Sequence, residues 1–267
     1  MPMRMQTQGQ LKYWTAEGIS VPHGFTTRLG GVSTGHLASM NIGLHRGDDV
    51  GNVEENYRIL SRAIGFDPEK LVLTRQIHSD IVRTVGRADW GRYMTEGASP
   101  ECDALITHDP GTALTIFTAD CTPILLHDPI TGAVGAVHAG WRSTAADIAG
   151  KTVAKMASEF GCDPNNIRAA IGPNLGVCCF QTDADVPQAM RDAFGSEVER
   201  FMHPSGDKFF VDLKKINAFA LGRAGVAHIE ISRECTMCSH EIYWSHRYTK
   251  GLRGSQGAII VCKEGET

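Results

Sequence analysis

The sequence lacks the features that define several classes of protein. It contains no apolar run of the roughly 18 residues that a membrane-spanning helix needs. The N-terminal stretch MPMRMQTQGQLKYW has no continuous apolar core of the kind found in signal peptides. The net charge is only −4, so no overall positive field attracts nucleic acid or an anionic membrane. We therefore expect a cytoplasmic protein with small-molecule partners that binds neither membranes nor nucleic acids.

The cysteines and histidines also lack two familiar arrangements. Eight cysteines would permit disulfides in an exported protein, but without an export signal we interpret them as thiols or metal ligands. The eleven histidines include no His-X-His pair, the arrangement that multicopper oxidases typically use to assemble several copper ions. A multicopper cluster is therefore not expected.

The sequence predicts one α+β domain over residues 1–267, with 1–20 as a peripheral N-terminal segment. No repeat, Pro-rich linker or charge run divides it. Short apolar runs between 71 and 138 predict strands whose brief connections favour antiparallel pairing, with a hairpin loop at 128–132. Further strands are predicted at 168–172, 228–231 and 258–262. Apolar spacing and stop signals predict four helices: 52–64, 143–160 with Ser143 as its N-cap, 185–194, and 212–224.

Three short segments place possible metal ligands near the ends of strands. They are QIHS with His78, ADC with Cys121, and VHAGWR with His138. Two imidazoles and one thiolate leave one position of a tetrahedral zinc ion open, which is typical of catalytic rather than structural sites. The spacing is not that of a zinc finger, however. At this point a histidine satisfied within a strand and an inert buried thiol are the more common interpretation.

Polar side chains near these residues suggest further roles. On an extended strand, Gln76 would share a face with His78 and bring an amide to the first ligand. Asp120 could orient a ligand or carry a proton. Arg142 could hold phosphate or carboxylate with its planar guanidinium. The alternatives are a turn or helix cap for Asp120 and a surface salt bridge for Arg142.

The remaining cysteines permit more than one interpretation. Cys235 and Cys238 form a C-x-x-C pair followed by His240, which could bind a second metal or form a redox pair. A single C-x-x-C outside a βαβ context more often does neither. Cys178 and Cys179 are adjacent, and adjacent residues on a strand point in opposite directions. We therefore expect them to be poor partners for one ion.

An ordered set of motifs from Thr26 to Val261 resembles the YfiH family, also called the laccase-domain family. The motifs are TTRLGGVSTG, SMNIGLHRGDD, RQIHS, CDALIT, TADCTPILL, AVHAGWRST, IGPNLGVCCF, DLKKIN and CTMCSHEIYWSHRYTKGLRGSQGAIIV. The resemblance implies a single domain with a sandwich of mixed β-sheets flanked by helices. It also implies a zinc ion bound by His78, Cys121 and His138, with copper as a possible substitute.

The resemblance further implies purine nucleoside phosphorylase activity on adenosine, inosine and methylthioadenosine, together with deamination of adenosine. An older label for such proteins is polyphenol oxidase, and some bacterial members are linked to removal of wrongly built peptidoglycan precursors. This sequence has HAGWRS where HAGWRG is commoner, and SHRYTKGLRG where S-[YF]-R-R is usual. These departures affect the expected substrate preference more than the metal ligands.

Phosphorolysis would require an anion site near the metal. Arg142 and the loop at 26–31 with Arg28 are the first candidates, followed by Arg247 and Arg253. In deamination, Asp120 would carry the proton. The H-x-E and P-C-x-x-C signature of zinc nucleobase deaminases is absent. Three aromatic residues could either stack on a purine or belong to the core: Trp141, Phe180 and Tyr243.

The same ligand residues also permit two other functions. Cys121 could be the nucleophile of a cysteine hydrolase, with His138 or His78 as its base. The chain could instead be a non-catalytic metal-binding module. Metal occupancy distinguishes a cysteine hydrolase from a zinc enzyme, because a thiolate held by zinc is a ligand and a poor free nucleophile.

Overall fold

Both faces of the central strands are buried in the computed structural model, which describes residues 3–91 and 99–263. Every residue of the strands Thr122–His127 and Gln256–Val261 is buried. Successive side chains point to opposite faces of a strand, so Ile124 and Leu126 pack into one core and Leu125 into another. This two-sided burial explains why these strands read as continuous apolar runs in the sequence.

Two six-stranded mixed sheets form the centre of the fold. The first contains, in spatial order, β1 (Arg4–Gln8), β2 (Leu11–Thr15), β3 (His23–Thr26), β15 (Gln256–Val261), β7 (Ala113–Thr118) and β4 (Leu71–Leu73). The second contains β14 (His228–Ile231), β10 (Arg168–Ile171), β8 (Thr122–His127), β9 (Val134–Ala139), β6 (Ala104–Thr107) and β5 (Val82–Thr84). A small third sheet contains β11 (Gln181–Thr182), β13 (Lys208–Val211) and β12 (Met202–Ser205).

The described residues contain six α-helices. They are α1 (Val50–Ile64), α2 (Trp141–Ala145), α3 (Ile148–Phe160), α4 (Asp185–Phe194), α5 (Leu213–Arg223) and α6 (His246–Thr249). One apolar core lies between α1 and the first sheet, a second lies between the sheets, and a third joins the second sheet to α3 and α5. The predicted α+β class, a sandwich of mixed sheets flanked by helices, is confirmed.

The helix ends follow the capping signals in the sequence, with one exception. Asp49 caps α1 by accepting from the Gly51 N–H, and Asp212 caps α5 by accepting from the Lys215 N–H. The single helix predicted over 143–160 is wrong, because α2 and α3 are separate. Asp147, rather than Ser143, is the N-cap of α3.

Residues 4–15 form a hairpin, β1 and β2, at one edge of the first sheet. β1 is the outermost strand of that sheet. β2 belongs to the core, because Leu11 and Tyr13 are buried against α1 and its neighbours. Across the described parts of the chain, no helix has both the length and the apolar character needed to cross a membrane.

We predict that His127 makes the protein less stable as the solution becomes acidic. Its ring is buried at the end of β8, where burial, reinforced by His23 and Arg168 and opposed by Asp128, lowers its pKa to about 4. The unfolded chain, with a histidine pKa near 6.5, therefore binds a proton that the folded chain does not. The free energy of unfolding should fall by at most about 3 kcal/mol as the pH drops from about 6.5 to about 4.

Denaturant unfolding at a series of pH values measures this effect. His127→Gln should flatten the dependence within that interval, whereas substitution of the exposed His36 by Gln should leave it unchanged. An identical slope in the wild type and His127→Gln would contradict the prediction.

Candidate active site

The strand directions bring the predicted metal ligands to one edge of the second sheet. β9 runs antiparallel to β8 and β6, so its end lies beside their beginnings. β5 is parallel to β6 and begins at the same edge. Four side chains consequently meet there: His138 near the end of β9, Cys121 just before β8, Asp103 just before β6, and His78 in the loop before β5.

The buried carboxylate of Asp103 holds both histidines in place. Its Oδ1 accepts from the His78 backbone N–H at 3.0 Å and lies 2.8 Å from His138 Nδ1. Its Oδ2 accepts from the Ser79 N–H and hydroxyl at 2.7 and 2.8 Å. With Nδ1 of His138 held by Asp103, Nε2 remains to bind a metal. This carboxylate–histidine arrangement is typical of zinc ligands.

The ligand atoms of His78, Cys121 and His138 fit a tetrahedral metal ion. All lie within 4.8 Å of one another, and Cys121 Sγ is 3.9 Å from His78 Nε2. Tetrahedral zinc, with bonds of 2.0–2.3 Å, separates its nitrogen and sulfur ligands by roughly 3.5 Å. A Cβ at Gly140 would lie 2.9 Å from His78 Cδ2, so glycine leaves the space that this arrangement requires.

Charge coupling favours the ionised thiol at this site. Burial opposes ionisation of Cys121, but His138 and then His78 outweigh it and lower the pKa of the thiol. Burial likewise opposes the charge on His138, but the Cys121 thiolate and Asp103 outweigh it and raise the pKa of the imidazole. Burial also opposes the charge on Asp103. Hydrogen bonds from His138 and Ser79 nevertheless lower the pKa of this carboxyl to about 2. Without a metal, the pair is a thiolate beside an imidazolium.

The carboxylate of Asp120 is fixed beside Cys121. Its Oδ1 accepts from the Thr236 hydroxyl and its Oδ2 from the Arg247 backbone N–H, both at 2.6 Å. Asp120 has a φ of 91°, and His78 has a φ of 59°. Both lie in the left-handed region that favours glycine, so the loops around the site hold these two residues against their own backbone preference.

A cavity of about 340 Å³ opens over the ligands, within the size range of small-molecule sites. Its lining includes His78 and Cys121 together with the aromatic rings of Trp141 and Phe180. Tyr243, the third aromatic candidate, is fully buried and accepts a hydrogen bond from the Trp14 indole. It therefore belongs to the core.

Two arginines line the same cavity and form no ion pair with a carboxylate of residues 3–91 or 99–263. The Arg247 guanidinium donates to the Gln181 carbonyl oxygen at 3.1 Å. Arg253 donates to the Ser255 hydroxyl at 3.0 Å, while its buried Nε has no hydrogen-bond partner among the described residues. Burial, and then the positive charge of Arg46, lowers the pKa of Arg253 to about 10. The two guanidinium groups therefore place positive charge in the cavity, which the Asp120 carboxylate and Cys121 oppose without forming an ion pair with either arginine.

Gln76 occupies a different place from the one expected. Residues 76–78 form a loop rather than a strand, so the prediction that Gln76 shares a strand face with His78 is wrong. The Gln76 amide instead forms two hydrogen bonds with the Phe117 backbone, at 2.6 and 2.8 Å. It lines a neighbouring cavity of about 290 Å³.

The two arginines that we first expected in the anion site lie outside the cavity lining. Arg142 is exposed, with its guanidinium 4.2 Å from the Trp141 ring centre. Arg28 donates to the carbonyl oxygens of Ala38 and His240 and stacks over Trp244. The loop at 26–31 is therefore held by internal contacts, and its supposed freedom to cradle an anion is wrong.

The prediction for the adjacent cysteines is also wrong. Cys178 and Cys179 lie in a turn rather than a strand, and both of their sulfur atoms approach Cys238 Sγ. Sequence reasoning gave no role to Asp103 or Thr236. Asp103 had one available signal, since it directly precedes a strand within CDALIT, but nothing local marks Thr236 as the partner of Asp120.

Comparison with known proteins agrees with this architecture. A family model described as multi-copper polyphenol oxidoreductase laccase matches residues 22–263. The chain is 37% identical to the purine nucleoside phosphorylase YlmD of Geobacillus stearothermophilus over 266 residues, covering 98% of this chain and 97% of that protein. The crystal structure of YlmD from Geobacillus stearothermophilus matches with a TM-score of 0.91 at 35% identity, covering 98% of this chain and 100% of the other.

A second solved structure agrees equally well. The crystal structure of the Bacillus licheniformis protein YfiH matches with a TM-score of 0.92 at 31% identity, covering 98% of this chain and 99% of the other. The matched family model and these relatives each span nearly the whole chain, and they confirm the resemblance seen in the motifs. The chain belongs to the laccase-domain family, which includes the YfiH and YlmD proteins.

Proposed function

We propose that this protein is a zinc-dependent purine nucleoside phosphorylase. Its substrates would be adenosine, inosine and methylthioadenosine together with phosphate, and it would also deaminate adenosine. The observation that carries the proposal is a single cavity faced by metal ligands, two aromatic rings and two arginines without carboxylate partners. The name of the Geobacillus relative supports the same activity.

The residues present suit zinc. One thiolate and two imidazoles are a donor set that zinc accepts with a fourth position open, and Asp103 supplies the supporting carboxylate. Copper would be a possible substitute, because it also binds imidazole and thiolate. A zinc ion bound by these residues would supply a Lewis-acid charge at the base of the cavity.

Arg247 and Arg253 are the residues that we propose for phosphate. A guanidinium can form two parallel hydrogen bonds to an oxyanion, and neither of these two is paired with a carboxylate of the described residues. In phosphorolysis a phosphate oxygen forms a bond to C1′ of the nucleoside while the C1′–N9 bond breaks. The purine leaves with that electron pair and accepts a proton. Holding phosphate beside C1′ converts this encounter into a reaction between bound partners.

Trp141, Phe180 and Asp120 would act on the nucleoside. The two aromatic rings can flank a purine, whose faces are apolar. Asp120 is the only carboxylate among the described residues that line the cavity, which makes it our candidate for proton transfer. In deamination, Asp120 would take a proton from water that adds to C6 and return it to the departing ammonia. Its hydrogen bonds from Thr236 and Arg247 keep it oriented for either reaction.

A cysteine hydrolase is the second candidate, and one observation favours it. Hydrogen bonds link the Cys121 thiol to the His138 imidazole and that imidazole to the Asp103 carboxylate. Cysteine hydrolases arrange their nucleophile, base and orienting carboxylate in the same order. Such an enzyme would act without a metal, and Cys121 would be open to covalent modification. The peptidoglycan-precursor activity linked to some bacterial members would use this chemistry.

The first test is a chromatographic assay of adenosine and inosine with and without phosphate. Release of the purine base only when phosphate is present would support phosphorolysis. Inosine and ammonia formed from adenosine without phosphate would support deamination. If the purified, zinc-loaded protein forms none of these products, the nucleoside proposal fails.

We predict that Cys121→Ser loses the zinc ion held by His78, Cys121 and His138 together with nucleoside turnover, each by about tenfold or more, because a hydroxyl is a much weaker zinc ligand than a thiolate. Metal analysis and the assay above measure the two losses. Cys162→Ser is the matched control, since that buried thiol contacts Thr131 rather than the site. Full zinc content with lost turnover would favour the nucleophilic cysteine instead.

We predict that Arg253→Met raises the KM for phosphate about tenfold or more, because a lost hydrogen bond to a charged group costs about 1.5–3 kcal/mol. Methionine retains an apolar side chain in place of the arginine stem. Arg142→Met is the matched control and should change this KM less than about twofold, since that guanidinium lies outside the cavity lining. A larger effect at Arg142 than at Arg253 would contradict this placement of the phosphate.

A further inference from the structure

Four cysteines form a second group of possible metal ligands, separate from His78, Cys121 and His138. Their sulfur atoms all lie within 4.8 Å of one another: Cys178, Cys179, Cys235 and Cys238. We call this group the four-cysteine cluster. Cys178 and Cys179 come from the turn after β10, and Cys235 and Cys238 from the segment after β14. These two stretches are distant in sequence and meet because β10 pairs with β14 and because Asn174 forms a backbone bridge with Cys235.

The spacing of the sulfur atoms suits one metal ion better than one disulfide. Cys238 Sγ is 3.6 Å from Cys178 Sγ and 3.4 Å from Cys179 Sγ. Four thiolates around zinc, with bonds of about 2.3 Å at tetrahedral angles, lie roughly 3.8 Å apart. In a disulfide, one sulfur would pair with a single partner at about 2.0 Å. Here Cys238 is nearly equidistant from two, as one ligand among several would be.

We propose a second, structural zinc site formed by four thiolates: Cys178, Cys179, Cys235 and Cys238. Four sulfur ligands in a tetrahedron leave no position open, which distinguishes this site from the three-ligand site in the cavity. Each thiol releases its proton to solvent as it binds the ion, so the complex carries a net charge of about −2.

Backbone groups near the cluster are arranged for a metal-bound thiolate. The Gly176 N–H donates to Cys235 Sγ at 3.3 Å, and the N–H groups of Met237 and Cys238 also donate to it. Such donors stabilise negative charge on sulfur. A Cβ at Gly176 would lie 3.1 Å from Cys235 Cβ and 3.3 Å from Cys178 Sγ. A glycine at this position allows the backbone to approach both sulfur atoms.

A buried lysine supplies charge of the opposite sign. The Lys214 side chain is 7% exposed, and its ammonium donates to the Glu234 carbonyl oxygen. Burial lowers the pKa of this ammonium to about 8, and electrostatic attraction to Asp212, then Cys235, Glu234 and Cys178, opposes that shift. A buried cation is costly unless an anion compensates it, and a tetrathiolate metal centre is such an anion.

The position of the cluster gives the ion a function. The Cys178–Cys179 turn continues into Phe180, which lines the cavity, and Leu175 donates its N–H to the Asp120 carbonyl oxygen. Thr236, next to Cys235, donates to the Asp120 carboxylate. A zinc ion in the cluster would therefore fix two segments that shape the cavity and orient Asp120. It would stabilise the site without touching the substrate.

Metal stoichiometry tests this inference separately from the proposed function. We expect about two zinc ions per chain in protein purified with reductant and zinc, and about one in Cys178→Ser/Cys238→Ser. Cys121→Ser removes the other ion and should also leave about one, whereas Cys162→Ser should leave both. If Cys121→Ser has the zinc content of the wild type, the proposed zinc site in the cavity is wrong. The zinc content of Cys178→Ser/Cys238→Ser then still tests the site in the four-cysteine cluster.

Cobalt substitution of Cys121→Ser gives a second readout should the double variant fail to fold. In that variant the cluster is intact and is the source of thiolate-to-cobalt charge-transfer absorption, which we expect to be strong because four thiolates bind one ion. The inference is overturned by absence of this absorption. A double variant with the zinc content of the wild type, or an intact mass that shows a disulfide within the cluster, would overturn it as well.

Discussion

A single buried carboxylate determines the geometry of the candidate active site. Asp103 is fully buried, and a charge in that environment must be compensated by hydrogen bonds or by opposite charge. Its partners include the backbone of the loop that carries His78 and the ring of His138. Satisfying one carboxylate therefore also sets the position of one ligand and the tautomer of another. Because Asp103 directly precedes β6, this arrangement depends on the register between β6 and β9.

Much of the fold could be predicted because local chemistry decides it. Asp212 caps α5 where the sequence predicts that helix to begin, and the loop at 128–132 forms the predicted hairpin between β8 and β9. The break between α2 and α3 could not be predicted in this way. Asp147 adopts a left-handed conformation there and starts a new helix, which apolar spacing alone does not show. The parallel pairing of β4 with β7 also depends on long-range packing.

The candidate site could likewise be predicted from sequence only where local chemistry decides it. Ligand chemistry picked out His78, Cys121 and His138, and the strand directions bring them together. The direction of a long side chain is set by tertiary contacts, so sequence could not tell that Arg142 lies over Trp141 while Arg253 faces the cavity. For the adjacent cysteines, the strand rule failed because the chain turns at that point. The family resemblance supplied the expected substrate, which no local pattern contains.

The left-handed backbone at His78 and Asp120 has an evolutionary consequence. Residues with a side chain in this conformation cost of order 1–3 kcal/mol each relative to an unstrained backbone, a cost that glycine avoids. Selection for stability alone would therefore drive both positions towards glycine. Both positions instead carry a side chain, an imidazole and a carboxylate, so the loops of the candidate site have a lower conformational stability than glycine would give them. More stable relatives with glycine there would be expected to have lost the chemistry of the site.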